Sequence, residues 1–236
     1  MAAAGQERLY ELLYRGLGIV VDVADAVWWA RVVGPAVFPA AGTLGRDAEP
    51  ATLVGRLPRH GRVVVNDAWG CLDLGPYGLR SYPGDPWMVR RPGRLEVAAV
   101  PGLTVVRAAT PAQVRAVEAT VVEAAGGPPE GYVPGGLHPP RTSLDLPDLH
   151  LFLGLLDGVA IGTAMAAVGP GTVFVSGIAV MPSMRGRGIG SALTAAALGV
   201  ATHLPAALRT TASGHGVYRR LGFALVGRPL DWVREG

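Results

Sequence analysis

Residues 178–191 read Ile-Ala-Val-Met-Pro-Ser-Met-Arg-Gly-Arg-Gly-Ile-Gly-Ser. An apolar run ends at Val180, and a helical pattern begins near Ile189. Between them lie Arg185 and Arg187, and Gly186, Gly188 and Gly190 at alternating positions. Glycines let a backbone turn its N–H groups inward and let a ligand approach closely. A helix start adds unpaired N–H donors and the positive end of a dipole. Such a segment is an anion cradle, and a pyrophosphate suits it. The nucleotide loop G-x-x-x-x-G-K-[ST] is excluded, because all 21 Lys+Arg residues of the chain are Arg. A G-x-G-x-x-G fingerprint from Gly186 fails at Ser191, and hairpins precede the loop where that motif needs a parallel βαβ unit.

What does match is R-x-x-G-x-G, on Arg185, Gly188 and Gly190. Downstream, Tyr218-Arg219-Arg220-Leu221-Gly222-Phe223 reads Y-x-x-L-G-F. The two motifs, in this order, resemble the GCN5-related N-acetyltransferases, the GNAT superfamily, over about residues 103–236. The resemblance implies acetyl-CoA as co-substrate, with no metal. It implies that the backbone of Ile178, Ala179 and Val180 pairs with the pantetheine arm as an added strand. Gly186, Arg187, Gly188, Ile189, Gly190 and Ser191 would then present N–H groups to the pyrophosphate. Arg185 touches the ligand or braces the loop, or else is solvated; Arg187 either adds charge near the phosphates or is solvated. Tyr218 is the catalytic candidate: a phenol near sulfur can protonate the departing thiolate. The alternative is that Tyr218 only packs under the pantetheine.

The general base stays open. Residues 172–180 contain no acid. Candidates elsewhere are His150, His215, Glu130, Asp145 and Asp148; the alternatives are a water relay or a substrate of low amine pKa. The expected activity is acetyl transfer to a primary amine, with a small-molecule acceptor favoured. A protein α-amine or lysine acceptor, or a non-catalytic CoA-binding sensor, are the alternatives.

The elements that must position these residues begin near Leu103. Residues 103–107 read as a strand, and Thr110 caps a helix from Pro111 to about Ala124. A proline-rich loop, 126–148, follows; its length points to function. Strands are expected at 150–156, 159–168 and 172–180, a helix at 189–203, a strand at 207–212, a short helix at 216–221, and edge strands at 223–226 and 230–233. The fold class is α+β: a mixed, mostly antiparallel sheet flanked by helices, with a smaller N-terminal α/β cap region.

Residues 1–100 read as that accessory region, a cap or a degenerate half-copy of the same fold, and 101–236 as the acetyltransferase domain. Leu9, Leu12, Leu13 and Leu17 recur at helical spacing. A second helix is expected at 20–33, and strands at 62–65 and 68–74. Asn66, Asp67, Ala68, Trp69, Tyr77 and Trp87 are candidates for an acceptor-pocket wall, although tryptophans, Trp28 and Trp29 included, mostly serve cores.

Half of the 236 residues are hydrophobic and 17% are charged, enough apolar content for a sizeable core. No uninterrupted apolar run reaches membrane-spanning length, and residues 1–10 do not read as a signal peptide. The net charge of +3 is spread over short Arg pairs. That argues against nucleic acid and membrane partners. The lone Cys71 excludes an internal disulfide and is expected as a small buried apolar residue. A cytoplasmic monomer or homodimer is the default expectation.

Overall fold

The computed structural model describes residues 1–129 and 131–236. Helix α1 (Ala2–Gly16) is followed by strands β1 (Val21–Ala24), β2 (Val27–Ala30) and β3 (Ala41–Thr43), helix α2 (Pro50–Val54), and strands β4 (Val63–Asp67), β5 (Arg80–Pro83) and β6 (Trp87–Arg90). Strand β7 (Leu103–Arg107), helices α3 (Pro111–Ala124) and α4 (Pro140–Leu144), and strands β8 (Leu149–Leu156), β9 (Val159–Gly169) and β10 (Thr172–Val180) come next. The chain ends with α5 (Ile189–Leu198), β11 (Ala206–Arg209), α6 (Ala212–Arg220), β12 (Ala224–Gly227) and β13 (Leu230–Arg234).

The strands form two mixed sheets. The six-stranded sheet has the order β1-β2-β3-β4-β13-β5, and the seven-stranded sheet β12-β6-β11-β10-β9-β8-β7. Each sheet thus takes a strand from across the expected boundary at residue 100. β6 lies between β11 and β12, and β13 lies between β4 and β5. The expected edge strand 230–233 is therefore an interior strand of the other sheet.

Side chains alternate across the seven-stranded sheet, so each face is apolar in its own right. One face, with Leu149, Leu151, Leu153, Met165 and Phe174, packs on α1 (Leu9, Leu12, Leu13) and α3 (Val114, Val117). The other, with Phe152, Ala164, Val173 and Val175, packs on α5 (Ile189, Leu193, Ala197). Helix α3 starts as the sequence predicts: Gln113 N donates to Thr110 Oγ1 at 3.2 Å, and Thr110 N donates back to Gln113 Oε1 at 3.2 Å.

Two N-terminal expectations are corrected. Residues 20–33 form the β1–β2 hairpin in place of a helix, because Asp25 and Ala26 take φ of 52° and 60°. Two successive left-handed residues make the tight turn that matches strand twist, and they stop a helix. Residues 68–74 are not a strand either. Buried Asp67 accepts from Trp69 N at 3.3 Å and Leu72 N at 2.9 Å, and these bonds curl the chain back on itself. The curl leaves Cys71 exposed rather than buried.

Candidate active site

The site grows from a parting of strands. β10 and β11 pair in parallel only at Val173–Ala206 and Phe174–Ala207. Beyond them, residues 175–180 have no strand on that side among the described residues. On its other side β10 stays paired with β9 through a bulge between Ser176 and Ala179. Gly177 makes the bulge possible. Its φ is 58°, and a Cβ there would stand 2.7 Å from Met165 Cε. Thr163 Oγ1 donates to the Gly177 carbonyl at 2.8 Å and holds the distortion in place. Ile178, Ala179 and Val180, half-buried, thus sit on an edge open to an extended ligand.

Past Val180 the chain makes a short turn at Pro182–Met184 and enters the glycine loop. Gly186 and Gly188 have φ of 78° and 82°, so both need glycine. The N–H groups of Gly186 through Ser191 have no acceptor among the described residues; the first helical bond of α5 is Ala192 N to Gly188 O, 3.1 Å. Gly190 differs from Gly186 and Gly188 because its φ is not left-handed, and a Cβ there would meet nothing nearer than Val180 Cγ2 at 3.9 Å. The chain itself leaves room for a methyl at that point. This row of N–H groups at a helix start fits a pyrophosphate, and the open strand edge beside it fits the amide-bearing arm of CoA.

Arg185 takes the bracing role. Its Nε donates to the Val180 carbonyl at 3.1 Å and its Nη2 to the Ala124 carbonyl at 3.1 Å, where α3 ends. It fastens the strand end to the negative end of a helix dipole. Arg187 is exposed, with no ion pair among the described residues.

Tyr218 lies on α6 and packs with Phe223, ring centroids 5.8 Å apart in an edge-on arrangement. It packs against the same apolar core cluster as Ile178, Val180 and Met184. Its hydroxyl makes no hydrogen bond among the described residues, and burial pushes its pKa up to about 12. The phenol therefore keeps its proton at neutral pH. Gly214, one turn earlier, makes space for the ring: a Cβ there would lie 2.9 Å from Tyr218 Cε2.

The base candidates do not converge on the open edge. His150 is buried on β8, opposite Ala166 of β9, and so stands two strands away from β10. Burial, and then Arg107, hold its pKa below the ordinary value. Asp148 is tied to Arg8, and Asp145 is exposed at the end of α4. His215 is half-buried on α6, three residues before Tyr218. Glu130 lies outside the described residues.

On the α1 side of the same sheet is a polar chamber of about 490 Å³. Ser176 of β10, Arg209 of β11, Asn66 of β4, Asp231 of β13, Tyr10 of α1 and Asp85 are among its lining residues. Of the expected wall residues only Asn66 lines this chamber. Trp69 and Trp87 line a different cavity of about 340 Å³, Tyr77 is exposed, and Trp28 is core.

One buried charge that the sequence reading missed fastens the long loop. Glu118 of α3, 1% exposed, accepts from Tyr132 Oη at 2.8 Å, Gly135 N at 2.6 Å, Leu137 N at 3.2 Å and His138 N at 2.7 Å. It thereby anchors the long loop to α3. The signal was present: Glu118 shares the apolar helix face with Val114, at i and i+4, where a charge must find partners.

Residues 126–223 match the sequence profile of the Acetyltransferase (GNAT) family. This stretch, less than half of the chain, resembles a GNAT acetyltransferase domain. The whole chain shares its fold with a GCN5-related N-acetyltransferase from Kribbella flavida, at 22% identity and a TM-score of 0.67, covering 100% of this chain and 97% of that one. A GCN5-related N-acetyltransferase from Sphaerobacter thermophilus is similar at 17% identity and a TM-score of 0.58, with coverage of 99% and 90%. No curated protein matches the chain in sequence. Among the described residues, no helix is long and apolar enough to cross a membrane, and no cluster of three His, Cys, Asp or Glu side chains is placed to hold a metal.

Proposed function

We propose that this chain transfers an acetyl group from acetyl-CoA to a primary amine of a small molecule. The observation that carries the reading is the open edge of β10. It runs into unpaired N–H groups at one end and shares its strand with a polar chamber through Ser176. Acetyl-CoA supplies an acetyl thioester, in which an amine nitrogen bonds the carbonyl carbon as the C–S bond breaks.

The residues have separate tasks. The N–H groups of Gly186 through Ser191 hold the phosphates, with Arg187 adding charge. Arg185 keeps the strand end and α3 in register. Tyr218 gives its proton, or a hydrogen bond, to the sulfur as negative charge gathers there. The amine enters from the chamber and sheds one proton to chamber water before attack; the second proton, lost from nitrogen as the amide forms, returns through water to the Tyr218 phenol. A volume of about 490 Å³ is in the range of small-molecule sites, which favours a small acceptor over a peptide.

A thiol-release assay with acetyl-CoA and a panel of amines and peptides tests this. Release that depends on a small amine is expected. Tight CoA binding with no amine-dependent release would leave a CoA-binding protein, and release only with peptides would move the acceptor to a protein.

A further inference from the structure

The chamber's chemistry comes mainly from outside the GNAT-matched stretch. Tyr10, Asn66, Asp85 and Asp231 all lie beyond residues 126–223. Strand alternation puts them there. Val63, Val65 and Trp232 face the core of the six-stranded sheet, so Asn66 and Asp231, directly opposite one another on β4 and β13, face the other way.

Both arginines of the chamber are engaged. Arg209 donates to the two oxygens of Asp231 at 3.2 and 2.7 Å, and its Nε donates to the Asp85 carbonyl at 3.1 Å. Arg62 donates to the Ala36 carbonyl at 2.8 Å and meets Glu235 at 3.4 Å. The Asp85 carboxylate, in contrast, is exposed and makes no ion pair among the described residues. It is the uncompensated charge of the chamber. Asn66 is 4% exposed; its Nδ2 donates to Asp231 at 2.7 Å, and its Oδ1 is buried without a partner. A buried carbonyl oxygen left unpaired is costly, and a donor entering from the chamber relieves it.

We propose that Asp85 and Asn66 are specificity-determining residues that select an amine acceptor carrying a second cationic or hydrogen-bond-donating group, and that reject acceptors carrying a carboxylate. This rests on the acetyltransfer reading and names the class of its acceptor. Asp85 supplies the charge preference. Asn66 Oδ1 accepts an N–H or O–H remote from the reacting nitrogen. A site built around a polar group discriminates strongly against analogues that leave that group unpaired.

The test uses the full chain and four acceptors of one chain length: diaminobutane, aminobutanol, butylamine and aminobutanoate. The expected order of kcat/KM by thiol release is as written, with diaminobutane about tenfold or more above butylamine. Asp85→Asn should bring diaminobutane down to the level of aminobutanol. Asn66→Leu should bring aminobutanol down to the level of butylamine. Because Asn66 also supports Asp231, the exposed Asp85 variant keeps the proposal falsifiable if Asn66→Leu does not fold. A preference for aminobutanoate, or ratios unmoved by Asp85→Asn, would overturn it. If no amine releases thiol, calorimetry with diaminobutane separates the two readings. Binding weakened by Asp85→Asn keeps the chamber assignment and removes acetyl transfer; no binding removes both.

Discussion

Arg209 and Asp231 join the two sheets. The guanidinium at the end of β11 meets the carboxylate of β13 with hydrogen bonds of 3.2 and 2.7 Å, and Gly84 packs so closely on the pair that a Cβ would stand 2.5 Å from Arg209 Nη2. The two side chains are 15% and 24% exposed, so solvent screens the pair only in part. Arg209→Ala is expected to cost roughly 1.5–3 kcal/mol, the range for hydrogen bonds to charged groups. That corresponds to a fall of roughly 5 °C in melting temperature for a chain of this size. Arg209→Ala/Asp231→Ala should cost less than the sum of the single changes, since no charge is left unpartnered. Thermal melts of the four proteins of the cycle check both statements.

Removing residues 1–100 should not leave a working acetyltransferase domain. The cut takes away β6, which leaves β12 unpaired and β11 held only by its short pairing with β10, and it takes away the sheet that holds β13. A fragment starting at residue 101 is expected to aggregate or bind acetyl-CoA poorly. A soluble fragment with full activity would show that the strand exchange is dispensable.

Gly190→Ala separates the cradle from the fold. The protein has room for the methyl, with Val180 Cγ2 3.9 Å away, and alanine is the better helix former. Stability should stay level or rise by up to about 1 kcal/mol. Affinity for acetyl-CoA should nevertheless fall about tenfold or more, as one lost hydrogen bond near 1.4 kcal/mol implies. Calorimetric titration beside a thermal melt reads both. Unchanged affinity would place the phosphates elsewhere.

Tyr218→Phe should lower kcat by about 10–100-fold while leaving acetyl-CoA affinity nearly intact. The ring still packs on Phe223 at 5.8 Å, and what disappears is one O–H that acts as the thiolate departs. A phenylalanine enzyme with full kcat would return Tyr218 to a packing role.

Acid should destabilise the fold well before the carboxylates titrate. His138 is 3% exposed, its Nδ1 has no partner, and burial lowers its pKa from 6.5 to about 4 against a smaller opposing pull from Glu118. As pH falls below 6.5 the unfolded chain takes up a proton that the folded chain refuses. The stability is therefore fully present above pH 6.5 and is lost as pH falls towards 4, by roughly 3 kcal/mol. His150, also lowered by burial, acts in the same direction. Denaturant melts at stepped pH should show this slope, and His138→Gln should flatten it.

Local chemistry was legible in the sequence. The cradle could be read because Gly186 and Gly188 need left-handed backbone and the helix start exposes its own donors, all within a few residues. The cap at Thr110 and Gln113 and the motif around Tyr218 are legible for the same reason: the partners are neighbours in the chain. What only the tertiary structure decided is non-local. Asn66 meets Asp231 from 165 positions away, and Arg209 meets Asp85 from 124. Whether Arg185 braces or binds depended on where the Ala124 carbonyl lies, 61 positions earlier. Strand alternation tells that a side chain faces one side of a sheet, but not which sheet its strand will join. β6 and β13 each pair across the apparent boundary because the edges that accept them are created elsewhere in the chain. The proposed ligand cradle is thus written locally, while the chamber proposed to select the acceptor exists only once the two sheets have exchanged strands.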